Sequence, residues 1–156
     1  MKELFINRAK TCAITGHRVL EKGFNKEKVR EIFIKLFQAG FDTFLIGMAL
    51  GFDTECFKIL EDLKKENKIF LIACVPCKTQ SYRFTKEQKN EYDRMLSVAD
   101  EVVLVSEEYS KTCMQKRNQY MVDNCSVLLA YLRRDFGGTK NTVNYAIKRQ
   151  VQIIKI

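Results

Sequence analysis

The feature that most constrains this sequence is an alternation. Six short apolar runs rich in β-branched residues, at 11–15, 43–47, 69–75, 101–105, 126–132 and 151–156, are separated by stretches of helical period. Runs of this kind lack a polar residue at every second place and read as strands buried on both faces. Between the first two runs, Val29, Ile32, Phe33, Leu36 and Phe37 repeat at helical spacing behind an Asn25 cap, and Gly40 ends that helix. Cys56, Phe57, Leu60 and Leu63 make the next apolar face, with Asp53 in the cap position. Thr85 and Gln88 have capping-box spacing ahead of Tyr92, Met95, Leu96 and Ala99. Ser110 is placed to cap a helix running to about Asn124, and Thr139 or Asn141 to open the last one.

Strand and helix in strict alternation imply an α/β fold of the Rossmann-like, doubly wound kind. Its mainly parallel sheet has about six strands, and helices reached by right-handed crossovers cover both faces. The expected strand order is 3-2-1-4-5-6. A length of 156 residues suits one well-cored domain over 1–156, and neither a repeat nor a linker interrupts it.

The amino terminus lacks the apolar stretch of a secretory signal, and no apolar run approaches the roughly 20 residues that span a bilayer. A cytoplasmic protein with no membrane partner is the expectation. Five of the six cysteines sit in apolar stretches and read as reduced, buried thiols. The Cys74-x-x-Cys77 pair ends a strand, whereas a redox pair opens a helix, and the single histidine, His17, is remote from it. No metal and no cofactor are expected. The net charge of +8 favours anionic ligands, but lysine and arginine are spread evenly, without a segment dedicated to nucleic acid.

In a parallel sheet of this type, ligands bind outside the carboxyl ends of the strands, near the point where strand order reverses. Three loops on that edge carry five of the seven glycines: Gly16-His17-Arg18, the segment from Gly47 to Gly51 and Asp53, and Gly137-Gly138-Thr139. Glycine lets backbone approach an oxyanion, and a helix start behind it supplies free N–H groups. The segment 137–142 is the stronger phosphate cradle, because Thr139, Lys140, Asn141 and Thr142 add hydroxyls, an amide and a cation. Arg18 is placed to clamp the same anion. Asp53 reads either as a helix cap or as an acceptor for ribose hydroxyls. His17 reads as a ligand contact, a structural residue or a general acid or base. Tyr82, Phe84 and Tyr92 are candidates for a base-binding wall, with Tyr92 on the core face of its helix.

Taken in order, Thr15-Gly16-His17-Arg18, Gly47-x-x-x-Gly51-x-Asp53-Thr54, Pro76 with Gln80, Arg117-Asn118-x-x-Met121-Val122-Asp123 and Gly137-Gly138-Thr139-x-Asn141-Thr142 resemble the SLOG superfamily, in its YpsA-like branch. The resemblance covers nearly the whole chain. It implies a Rossmann-like domain that binds nucleotides or nucleotide-derived signals, and it adds Arg117 and Asn118 to the ligand site. The superfamily also resembles LOG-type phosphoribohydrolases, which use a glutamate after a PGGxGTxxE motif. Here Phe136 replaces the proline and, with Thr142 taken as the motif threonine, Tyr145 stands at the glutamate position, which leaves only Asp53 or Asp123 to substitute. DprA, another relative, binds single-stranded DNA.

The leading expectation is a domain that binds a phosphate-bearing, nucleotide-derived small molecule as a sensor. A nucleotide N-glycosidase or phosphoribohydrolase is the first alternative, and single-stranded nucleic-acid binding the second. Self-association into a homo-oligomer is left open.

Overall fold

In the computed structural model, which describes residues 4–156, the apolar runs become strands β1 (Thr11–Gly16), β2 (Thr43–Ile46), β3 (Phe70–Val75), β4 (Glu101–Leu104), β5 (Val127–Tyr131) and β6 (Gln152–Lys155). The helices between them are α1 (Lys26–Gln38), α2 (Phe52–Lys64), α3 (Lys86–Val98), α4 (Cys113–Asp123) and α5 (Gly138–Lys148). Local chemistry starts two of these helices as expected. Asn25 accepts the N–H groups of Glu27 and Lys28, and Thr85 with Gln88 closes a capping box.

Three helix starts differ from the sequence reading. Gly51, not Asp53, is the N-cap of α2, and Gly137 rather than Thr139 or Asn141 precedes α5. Both glycines have positive φ, a conformation set by the loops they close and not signalled by a capping side chain. Thr112 precedes α4, and the Ser110 hydroxyl is sealed without a partner instead of capping.

All strand pairs are parallel, in the order β4-β3-β2-β1-β5-β6. The expected order 3-2-1-4-5-6 is therefore corrected at one strand, because β4 pairs outside β3 and leaves the flank of β1 to β5. β4 is four residues long, with Glu101 and Val102 exposed, whereas every residue of β5 is buried. β4 and β6 are half-exposed edge strands and not the doubly buried strands expected.

The winding puts α1, α2 and α3 on one face, where Val29, Phe33, Phe57, Leu60 and Met95 pack on Ile14, Phe44 and Leu71. On the other face, Met121 and Val122 of α4 and Val143 and Ala146 of α5 cover Ala13, Leu45 and Leu128. All six cysteines are buried and free. Burial pushes the Cys74 and Cys125 thiols up to about 12, and raises those of Cys12 and Cys56 as well.

At the end of β5 the Tyr131 ring stacks on Phe52, with centroids 5.3 Å apart, and meets the edge of Phe24. Its hydroxyl oxygen accepts the Glu21 N–H at 3.0 Å. Tyr131 thus binds the start of α2, the loop after β1 and the central strand together. Tyr131→Ala is expected to lower unfolding free energy by about 3–5 kcal/mol, the range for deleting a buried aromatic side chain. Urea denaturation checks this, and a loss under about 1 kcal/mol would show that the cluster can repack around the gap.

Candidate functional site

Sheet order reverses between β1 and β5, so the loops leaving these two strands flank the crevice where such sheets bind ligands. His17 bridges them. It is 7 % exposed, its Nε2 accepts the Arg133 N–H at 2.8 Å, and its ring packs edge-on against Tyr131. The acceptor role of Nε2 puts the proton of the neutral ring on Nδ1. Burial lowers the His17 pKa, and the nearby Arg134 and Arg133 guanidinium groups lower it further. His17 works as a neutral tie between loops, with Arg18, Arg133 and Arg134 exposed around it.

The loop after β2 is closed by packing. A side chain at Gly16 would meet Phe52 at 2.5 Å, and one at Gly47 would meet the Arg117 guanidinium at 2.9 Å. One at Gly51 would overlap the Arg18 carbonyl, and the Phe52 N–H donates to His17 O beside it. These three glycines admit other parts of the chain.

Arg117 reaches this loop from α4 and is 5 % exposed. Its Nη1 donates to Gly47 O and, at 3.2 Å, to Cys74 O, while Nε donates to Asn118 Oδ1 at 2.8 Å. Gln80 Nε2 donates to the same Gly47 carbonyl at 2.9 Å, and Tyr92 donates to Gln80 Oε1 at 2.8 Å. Behind them lies Asp53, whose Oδ2 accepts the Ala49 N–H at 3.1 Å and whose Oδ1 is sealed without a partner. Burial pushes the Asp53 carboxyl up to about 6, against the opposing pull of Arg117. Asp53 sits inside the first turn of α2, shielded from an approaching ribose.

The loop after β5 is the open one. Nothing lies within 4 Å of a side chain placed at Gly138, and at Gly137 only Arg134 Nη2 is met, at 4.0 Å. Thr142 Oγ1 donates to Gly138 O at 2.8 Å and braces the first turn of α5. Thr139 is 7 % exposed. The first N–H groups of α5 have no partner within the helix.

A cleft of about 520 Å³ continues from Gly138 between α4 and α5, reached by Asn118, Asn141 and Thr142. The structure therefore brings Asn118, Gly138, Asn141 and Thr142 to one cavity, while Gly137 and Thr139 flank Gly138 in sequence without lining it. Gly16, Gly47, Gly51, Asp53 and Arg117 lie behind the loops as support. Phe84 and Tyr92 line a separate, smaller cleft between α2 and α3, while Tyr82 is exposed. Sequence reasoning missed Lys111, Gln115, Gln119 and Asn144, although their helical spacing along two segments was visible. It also passed over Arg133-Arg134, the charged pair just ahead of the glycines.

Neither substitute carboxylate faces the cradle. Asp53 is enclosed, and Asp123 ends α4 at the opposite edge of the sheet, accepting from Tyr145 at 2.8 Å and pairing with Arg149 at 3.3 Å. Among the described residues no cluster of three or more His, Cys, Asp or Glu side chains is arranged to hold a metal ion, and no helix is long and apolar enough to cross a membrane.

Two outcomes follow from these contacts. Arg117→Met should cost about 3–5 kcal/mol in urea unfolding, because it takes a donor from the buried Cys74 carbonyl, one of two donors from Gly47 O, and the guanidinium that opposes the buried Asp53 charge; a cost below about 1 kcal/mol would remove Arg117 from its bracing role. His17 titrates lower when folded than its ordinary 6.5, so its contribution to stability is complete above that pH and falls away below it. Asp53, titrating higher when folded, acts with the opposite sign, so the test is a comparison of variants. Between about pH 7.5 and about pH 5.5, the melting temperature of His17→Gln should fall less than that of the unaltered protein.

Comparison with known proteins agrees with this fold. The uncharacterized SPbeta prophage-derived protein YoqJ of Bacillus subtilis (strain 168) is 38 % identical over 120 residues, covering 67 % of this chain and 69 % of YoqJ. Two solved structures share the fold. DNA processing protein A from Streptococcus pneumoniae superposes with a TM-score of 0.68 at 16 % identity, over 94 % of this chain and 50 % of that one. DNA processing protein A from Helicobacter pylori, described with a single-stranded DNA binding mode, gives 0.66 at 17 % identity, over 93 % and 64 %. The chain thus spans between half and two thirds of those proteins. The YpsA profile, described as the YspA SLOG family, matches residues 12–154, and this chain belongs to that family.

Proposed function

We propose that this protein binds a phosphate-bearing, nucleotide-derived small molecule at the start of α5 and serves as a ligand-binding, sensing domain. The observation that carries this reading is the contrast among the glycine loops. Those at 16–18 and 47–53 are filled by their own chain, while Gly137 and Gly138 face open space at the start of α5. Free N–H groups, a hydroxyl and the Arg18 and Arg134 side chains suit an oxyanion, and a net charge of +8 favours its approach. Membership of the SLOG family supports a nucleotide as the source of that anion. Hydrolysis of the ligand has less support, because Asp53 and Asp123 face away from the cradle and Asp135, beside it, is paired with Lys140 at 3.1 Å.

A second reading, single-stranded nucleic acid, has one specific observation behind it. Phe136 is 66 % exposed at the same loop, with the Arg134 guanidinium 5.2 Å from its ring centre, the pairing of aromatic and cation on which bases stack. The Helicobacter pylori neighbour makes the reading worth testing.

Gly138→Val decides the matter. The position has room for a side chain, so the variant should melt close to the unaltered protein while losing stabilisation by nucleoside monophosphates in a thermal-shift titration. Equal stabilisation of both proteins would remove this loop from the site. Chromatography of the same mixtures for free base and sugar phosphate distinguishes binding from turnover. A steep fall of oligonucleotide affinity with salt, absent for mononucleotides, would favour the second reading.

A further inference from the structure

We infer that the cleft between α4 and α5 receives the base of that nucleotide, an inference that rests on the phosphate position proposed above. Because every crossover returns from the carboxyl to the amino edge of the sheet, α4 and α5 run parallel, and their first turns flank the same opening. Gln115, Asn118 and Gln119 project from α4 at helical spacing, facing Asn141, Asn144 and Tyr145 of α5. Asparagine and glutamine make up fifteen of the 156 residues, yet five of the eleven residues lining this cleft are of these types.

A carboxamide holds a donor and an acceptor side by side, which is the complement of a nucleobase edge. Gln115, Gln119, Asn141 and Asn144 keep their side chains unpaired among the described residues. Asn118 gives its Oδ1 to Arg117, which turns its amino group outward. Tyr145 offers a ring face, held in place by its bond to Asp123. Lys111 at the mouth and Lys148 at the far end are the cleft's charged residues, and no acid lines it to repel a phosphate.

The dimensions agree. The eleven residues of α5 rise roughly 15 Å, enough for a phosphate at Gly138, a sugar at the second turn and a base beside Tyr145. A volume of about 520 Å³ lies in the range of small-molecule sites. The smaller cleft between α2 and α3 is lined by Met48, Leu50, Phe84 and Met95, with Glu87 and Glu91 against a single Lys58, a poorer match to an anion.

Calorimetric titration with the four common ribonucleoside 5′-monophosphates and with ribose 5-phosphate tests the assignment. At least one nucleotide should bind about tenfold more tightly than ribose 5-phosphate, the worth of one good carboxamide–base pair. The double variant Gln119→Leu with Asn144→Leu should erase that margin and leave ribose 5-phosphate binding unchanged. Asn144 is exposed and Gln119 half-buried, and an unaltered melting temperature confirms the fold. A nucleotide no tighter than ribose 5-phosphate, or a margin untouched in the variant, would overturn the base site and leave the phosphate cradle standing. Failure of every one of these compounds to bind the unaltered protein would overturn both.

Discussion

A buried cation holds the functional edge of this sheet together. The Arg117 guanidinium enters from α4, lies under the ends of β2 and β3, and supplies hydrogen bonds to carbonyls that have run out of ladder partners. Burying such a charge costs several kcal/mol, offset here by three hydrogen bonds and the field of Asp53. The position of α4 explains why the tie sits at this point. The chain reaches the edge of the sheet at β4 and must then cross back to the centre through α4, and Arg117 anchors that crossover to the ends of two strands at once.

That anchoring divides the labour among the loops. Gly16, Gly47 and Gly51 are small because Phe52, Arg117 and the Arg18 carbonyl occupy the space beside them. With two loops immobilised in this way, the start of α5 is left as the part of the edge with room to receive something. His17 extends the same logic across the reversal point, since its neutral ring fixes the backbone of Arg133 and so sets where the Arg133-Arg134 charges emerge.

Much of this was legible in the residues, and the exceptions have physical causes. The alternation of apolar runs and helical periods was sufficient for the fold class, because both periods are local consequences of backbone geometry. Strand order was not legible at β4, since Val102, Val103 and Leu104 are as apolar as a central strand and only pairing reveals which strand lies at the edge. Caps made by side chains, Asn25 and Thr85, could be read, whereas Gly51 and Gly137 take their conformation from tertiary contacts. The site glycines teach the same lesson: a glycine that makes way for a ligand and one that makes way for the protein's own chain carry identical signals. The carboxamides of the α4–α5 cleft went unremarked because each is an ordinary surface residue until two helices are set side by side.

The reduced cysteines have a consequence of another kind. All six lie in the interior, and burial keeps at least four of them in the thiol form, which is a poor nucleophile. With all six buried, they are expected to react slowly with alkylating reagents and mild oxidants while the protein stays folded. A single engineered thiol on the exposed rim of the crevice would stand alone as a reporter, and bursts of reactivity from the other six would register the moment the fold opens.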